Sequence, residues 1–151
     1  MRVAEKLRIA APRAAIWEFV ADGKRYPDFF ADADRWEVIG EQSSGCGARW
    51  AIRLRIGSAS VGGLVEITES DEPSNLAFTS ITGVDMRGRW RLRERAPGLT
   101  DVEVRLAYQS PGGVLGLIAD RVSGPLVGRI LKRSLRNLRD LLEGPPPRSP
   151  R

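Results

Sequence analysis

The chain has 151 residues, 42% apolar and 28% charged, with a formal net charge of +5. That length suits one domain able to bury a core of its own, and no apolar run approaches the roughly 18 residues of a membrane-crossing helix. There is no histidine and one cysteine, Cys46, which excludes an internal disulfide, Ser-His-Asp and Cys-His catalysis and the usual zinc sites, so neither cofactor nor metal is expected.

The opening MRVAEKLRIAAP places Glu5, Lys6 and Arg8 where a signal peptide needs its apolar stretch, which predicts a cytoplasmic protein. Val3, Glu5, Leu7 and Ile9 alternate with Arg2, Ala4, Lys6 and Arg8, the pattern of a first strand over 2–9 that ends at Ala11-Pro12. From Arg13 to Ala21 the residues Ile16, Trp17, Phe19 and Val20 cluster at helical spacing, and Asp22-Gly23 stops the run. A second short helix is predicted around Tyr26 to Ala33, with Pro27 in its first turn.

A long period-two stretch follows. Strands are predicted at 35–41, 48–57, 60–70, 75–81, 86–95 and 100–109, separated by the turn sequences SSGCG, GSAS, DEPSN, TGVD and APGLT. Connections this short make sequential strands antiparallel neighbours, because a parallel crossover needs a dozen or more residues. In the third strand Trp50, Ile52, Leu54 and Ile56 alternate with Ala51, Arg53 and Arg55; in the sixth, Met86, Gly88, Trp90 and Leu92 alternate with Arg87, Arg89, Arg91 and Arg93. In the seventh, Val102, Val104, Leu106 and Tyr108 share a parity. One sheet face is therefore apolar and the other wet. The fourth and fifth strands are less regular: Val61, Val65 and Ile67 share one parity, and Leu76 and Phe78 share another to which Ile81 is opposed. Because the strand arginines alternate with apolar residues, the basic charge reads as a solvated outer face, and nucleic acid is not the expected partner.

Beyond Ser110-Pro111-Gly112-Gly113 the period becomes helical through about Glu143, with Leu115, Ile118, Val122, Leu126, Ile130, Leu131, Leu135, Leu138 and Leu142 along one stripe. A straight helix of about 30 residues spans about 45 Å, more than the about 38 Å expected for the whole domain. Gly124-Pro125 is the predicted kink, or the joint between two helices. Gly144 closes the helix, and PPPRSPR has the composition of a disordered tail, so the domain is read as 1–143 and the tail as 144–151. The element order defines an α+β domain of about seven strands curved round the long C-terminal helix, with Gly62-Gly63 and Gly88 as points of bending.

The first strand followed by AAPRAAIWEFVAD, then RYPDFF, GRWRL, and TDVEVRLAYQSPGG leading into VLGLIADRVSGPLVGRILKRSLRNLRDLLE, resembles the SRPBCC superfamily of START-like helix-grip proteins over 3–142. The likeness is greatest to its polyketide cyclase/dehydrase and lipid-transport branch. The resemblance implies a hydrophobic cavity between sheet and C-terminal helix, used for lipids, polyketides and similar metabolites, in a fold that hosts both enzymes and carriers.

Parity assigns to such a cavity Trp50, Ile52, Leu54, Phe78, Met86, Trp90, Leu106 and Tyr108 from the sheet, and Leu115, Ile118, Val122, Leu126 and Ile130 from the helix. Trp90 and Tyr108 join a large apolar body to one polar atom that can orient a ligand. Three readings stand beside one another. The first is binding or transport of a hydrophobic small molecule without turnover. The second is a polyketide aromatase/cyclase or dehydratase, which needs a proton donor or acceptor at the substrate; the candidates are Tyr108, Tyr26, Arg49 and Asp85, with Arg49 of the wrong parity if Trp50 faces inward. The third is an interaction module in which the cavity collapses and the helix cations Arg129, Lys132, Arg133, Arg136 and Arg139 bind the lipid headgroups of an anionic membrane or nucleic acid.

Overall fold

The structure, a computed structural model, describes residues 1–109 and 113–144, with the side chains of 113–123 outside that description. Strand β1 (Arg2–Ile9) leads into helix α1 (Arg13–Val20) and a 3-10 turn, Gly23–Asp28. Then come β2 (Ala33–Ile39), β3 (Arg49–Ile56), β4 (Ala59–Asp71), β5 (Asn75–Ser80), β6 (Asp85–Ala96), β7 (Leu99–Gln109) and helix α2 (Gly113–Glu143). The seven strands form one sheet in the order β1-β7-β6-β5-β4-β3-β2, antiparallel at every pairing. Five hairpins thus generate a curled meander, and α1 with the 3-10 turn carries the chain from one edge to the other.

Three local differences from the sequence pattern have physical causes. The second short helix begins at Gly23 instead of near Tyr26, because Asp22 caps it: its carboxylate accepts from the Lys24 amide at 3.0 Å. Asp22-Gly23 ends α1 and starts the next turn at once. Strand β2 sits two residues earlier than predicted, bulged between Ala33 and Arg35 and stopped by Gly40, whose φ of 90° lies in the left-handed region. In β4 the register shifts between Ile67 and Glu69, so Ile67 faces Phe78 and Glu69 faces Ala77. This bulge at Thr68 follows the last of the three residues, Val61, Val65 and Ile67, that share a parity. Val65, Ile67, Leu76 and Phe78 all turn inward and Ile81 stays exposed.

Helix α2 runs through Pro125 as one element, not as two abutting helices. A proline removes a single N–H from the ladder, and the turns on both sides keep theirs. Gly144, at φ 83°, donates its N–H to the Asp140 carbonyl at 2.9 Å and ends the helix as expected. Residues 145–151, read as a tail, lie outside the described residues.

The C-terminal half of α2 is fastened to the chain before β2. The buried Ser134 hydroxyl accepts from the Ala31 amide at 2.9 Å and donates to the Ile130 carbonyl at 2.7 Å. Asn137 donates to the Phe29 carbonyl at 3.0 Å, and Arg133 pairs with Asp32 at 3.0 Å. Val127, Leu131, Leu135 and Leu138 complete the seal against the inner sheet face.

Candidate ligand site

The inner face of the sheet divides along its length into two halves of different packing. One half is closed by aromatic rings. Tyr26 stacks on Trp36 with ring centroids 4.2 Å apart and planes 11° from parallel, and Phe29, Phe30, Trp50 and Trp90 surround the pair. Such stacked and tilted pairs add to the apolar burial itself. Here Trp50, Trp90, Leu76, Leu92 and Val102 are 0–1% exposed, Phe29 2% and Trp36 7%.

In the other half the inward side chains keep residual surface. Ile52, Leu54, Phe78, Met86, Leu106 and Tyr108 are 4–8% exposed, although they belong to the same apolar cluster. Cross-strand pairing joins them: Met86 faces Tyr108, Gly88 faces both Phe78 and Leu106, and Leu54 faces Val61. At Gly88 a Cβ would fall 2.1 Å from the Phe78 ring, so the glycine seats that ring against the sheet. Above this half passes α2. Gly124 lies beside Met1, and Leu126 reaches the β3–β4 turn at Gly57. The helix residues assigned to the cavity divide accordingly: Ile130 is buried and Leu126 half-buried, while Leu115, Ile118 and Val122 lie outside the described side chains.

The sheet residues predicted to line a cavity are therefore all on the inner face but not all in one place. Trp50 and Trp90 sit in the closed half. The Trp50 indole donates to the Ser43 carbonyl at 3.1 Å, and Trp90 hydrogen-bonds Tyr26. Leu54, Phe78, Met86, Leu106 and Tyr108 share the looser half, with Ile52 at its border opposite Trp36, so Tyr108 is the one of the two polar markers that stands there.

The other candidate proton donors and acceptors are scattered. Tyr26 is fully enclosed and donates to the Val20 carbonyl at 2.6 Å. Burial pushes its phenol well above the ordinary tyrosine value and so keeps it neutral, an effect that Trp90 partly offsets. Arg49 is exposed on the outer face and pairs with Glu66 at 3.1 Å, in accord with its parity. Asp85 is exposed at the start of β6. Among the described residues no group of histidine, cysteine, aspartate and glutamate is arranged to hold a metal, and no helix is long and apolar enough to cross a membrane.

Two inward polar groups were not singled out in the sequence. The Trp36 indole nitrogen is buried without a hydrogen-bond partner; parity places Trp36 inward but says nothing of partners. Glu5 turns toward α2 and lies 3.9 Å from the Lys132 ammonium. Three of the helix cations are thus engaged: Lys132 with Glu5, Arg133 with Asp32 and Arg139 with Asp140.

Comparison with known proteins gives a consistent relationship. A family model described as polyketide cyclase / dehydrase and lipid transport matches residues 1–143. Among solved structures, the protein TTHA0849 of Thermus thermophilus superposes with a TM-score of 0.82 at 19% identity, covering 95% of this chain and 97% of the other. A START superfamily protein of Mycobacterium smegmatis gives 0.76 at 16% identity, covering 94% and 97%. The ginseng major latex-like protein 151 of Panax ginseng gives 0.72 at 12% identity, covering 94% and 95%. These likenesses establish the helix-grip fold. No curated protein matches the sequence.

Proposed function

Since the chain belongs to the polyketide cyclase/dehydrase and lipid-transport family, we propose that it binds and carries a hydrophobic small molecule, a lipid or polyketide, between the sheet and the first half of α2. The observation that carries this reading is the inward apolar patch of Leu54, Phe78, Met86, Leu106 and Tyr108, each 6–8% exposed, beside a ring cluster in which Tyr26, Phe29, Trp50 and Trp90 are 0–2% exposed and Trp36 7%. A helix packed on a sheet for stability alone excludes solvent along its whole length, since unfilled volume forfeits dispersion contacts. An apolar wall with one phenol is the composition of a pocket that holds a greasy ligand and orients one end of it.

A carrier is favoured over an enzyme by where the acids and bases lie. Proton chemistry needs a group within hydrogen-bond reach of the substrate, and Tyr26 is sealed by rings while Arg49 and Asp85 are exposed. Tyr108 is left as the cyclase or dehydratase candidate.

Native mass spectrometry of protein purified from its own organism tests the proposal, with uptake of an apolar fluorophore as the solution assay. A co-purified lipid or polyketide, and fluorophore uptake blocked by Leu106→Trp, are expected. Uptake unaffected by Leu106→Trp in a folded variant overturns the assignment. Turnover of a co-purified polyketide that Tyr108→Phe abolishes, with binding intact, replaces the carrier by the cyclase reading.

A further inference from the structure

The outer face of the sheet carries a groove of about 660 Å³ whose lining also includes Gly88 and, from residues whose side chains turn to the inner face, Phe78, Leu106 and Tyr108. It runs over β1, β7, β6 and β5, and Arg2, Arg87, Arg89, Arg91 and Arg105 line it together with Ala4, Ala77, Thr79 and Ala107. The register explains its shape. One cross-strand row reads Arg2, Ala107, Arg87, Thr79 and the next reads Ala4, Arg105, Arg89, Ala77. Small residues thus make the floor and long guanidinium side chains the walls; Ala77 is buried although it faces outward.

The charges in this groove are incompletely balanced. Arg89 and Arg105 face each other directly across β6 and β7, an unfavourable apposition of like charge. Each is relieved by one carboxylate, Arg89 by Glu69 at 2.8 Å and Arg105 by Glu103 at 2.7 Å. Arg91 adds a weaker attraction to Glu69. Arg2 and Arg87, on either side of Ala107, make no ion pair among the described residues, and both are exposed. Asp85 is the carboxylate on the groove's lining, two residues before Arg87 on β6. Elsewhere on the same face Arg8 and Arg95 share Asp101, Arg49 meets Glu66 and Arg55 meets Asp34, while Arg53 and Arg93 make no ion pair among the described residues and lie outside the groove.

We propose that this groove is a second binding site, for a phosphate-bearing anion gripped by Arg2 and Arg87 above Ala107. Guanidinium is planar, permanently charged and presents paired N–H donors that fit phosphate oxygens two at a time. Thr79 places a hydroxyl in the same row, and the alanine floor lets the anion approach the sheet between the two arginines. The surplus of cations over carboxylates favours a ligand with more than one negative charge. Its arginines leave the sheet on the face opposite the apolar side chains, although Phe78, Leu106 and Tyr108 border both sites.

The test uses the full chain and two probes, inorganic tripolyphosphate by calorimetry and phosphatidylcholine vesicles containing phosphatidic acid by sedimentation. Saturable tripolyphosphate binding that Arg2→Gln/Arg87→Gln weakens about tenfold or more, with the melting temperature unchanged, is expected for a soluble phosphate ligand. Vesicle binding abolished by the same double variant, without tripolyphosphate saturation, assigns the site to a lipid headgroup. The control Arg35→Gln/Arg55→Gln removes the same charge outside the groove. Binding in neither arm, or an equal loss in the control, overturns the proposal. Fluorophore uptake is expected to be the same in all of these variants.

Discussion

Replacing Tyr26 by phenylalanine separates a structural from a catalytic role for the most deeply placed phenol in the protein. Its ring stacks on Trp36, and its hydroxyl donates to the carbonyl of Val20, the last residue of α1, at 2.6 Å. A carbonyl at a helix C-terminus has no donor within its own helix, and Val20 and Tyr26 are both 0% exposed, so water does not readily replace the lost partner. Tyr26→Phe keeps the ring and strands that carbonyl, at a cost of about 1–3 kcal/mol. For a domain of this size that corresponds to a melting temperature lower by about 3–10 °C. Urea denaturation with an unchanged m value checks that the denatured state is not the source, and fluorophore affinity measured well below the transition is expected to match the parent. A variant that melts within about 1 °C of the parent but loses ligand affinity or turnover refutes the reasoning, because Tyr26 would then act on the ligand and not on α1.

Three further outcomes follow from the same geometry. Gly88→Ala drives a methyl toward the Phe78 ring, displacing it into the looser half; a stability loss of about 1–3 kcal/mol with weaker fluorophore uptake is expected, and unchanged uptake would place the ligand elsewhere. Hydrogen bonds from Arg8 and Arg95 hold the Asp101 carboxyl at about 2, below its ordinary 3.8. Its stabilising contribution is therefore complete above about pH 4 and disappears as pH falls through about 2, so Asp101→Asn flattens the acid limb of a melting-temperature profile, whereas superimposable limbs would show the pairs to be inert. Ser134→Ala deprives the buried Ala31 amide of its acceptor, and should cost about 1–3 kcal/mol while speeding hydrogen exchange at Ala31; unaltered exchange would mean that Asn137 and Arg133 alone fasten the helix.

The strands and their inner faces were legible because a two-residue period survives in any register, as the runs Trp50-Ile52-Leu54 and Met86-Gly88-Trp90-Leu92 show. What parity leaves open is position along the strand. Trp50 and Leu54 share one face, yet the first packs against Tyr26 and the second lies beyond that cluster at 6% exposure, because the division depends on where Tyr26 and Phe29 are delivered by a turn far away in sequence. The bulge at Thr68 left no mark in the common parity of Val61, Val65 and Ile67, which all precede it. Asp22 was read as a stop when it is also a start, since capping by a side chain leaves the same sequence mark in both roles.

The same period that reveals the inner face also explains why the outer one was undervalued. Alternation shows that Arg87, Arg89, Arg91 and Arg93 leave the core, but whether an outward arginine is neutralised depends on the residue opposite it on the neighbouring strand. Cross-strand register puts Glu103 opposite Arg91 and Asp101 opposite Arg93, carboxylates that pair with Lys6 and Arg105 and with Arg8 and Arg95, while opposite Arg87 it puts Ala107 on one side and Thr79 on the other. A ladder of four similar arginines thus contains one whose direct neighbours are all small, and Arg2 stands across Ala107 from it. Composition and spacing are identical along that ladder. Only strand pairing distinguishes a solvated charge from one placed to hold an anion.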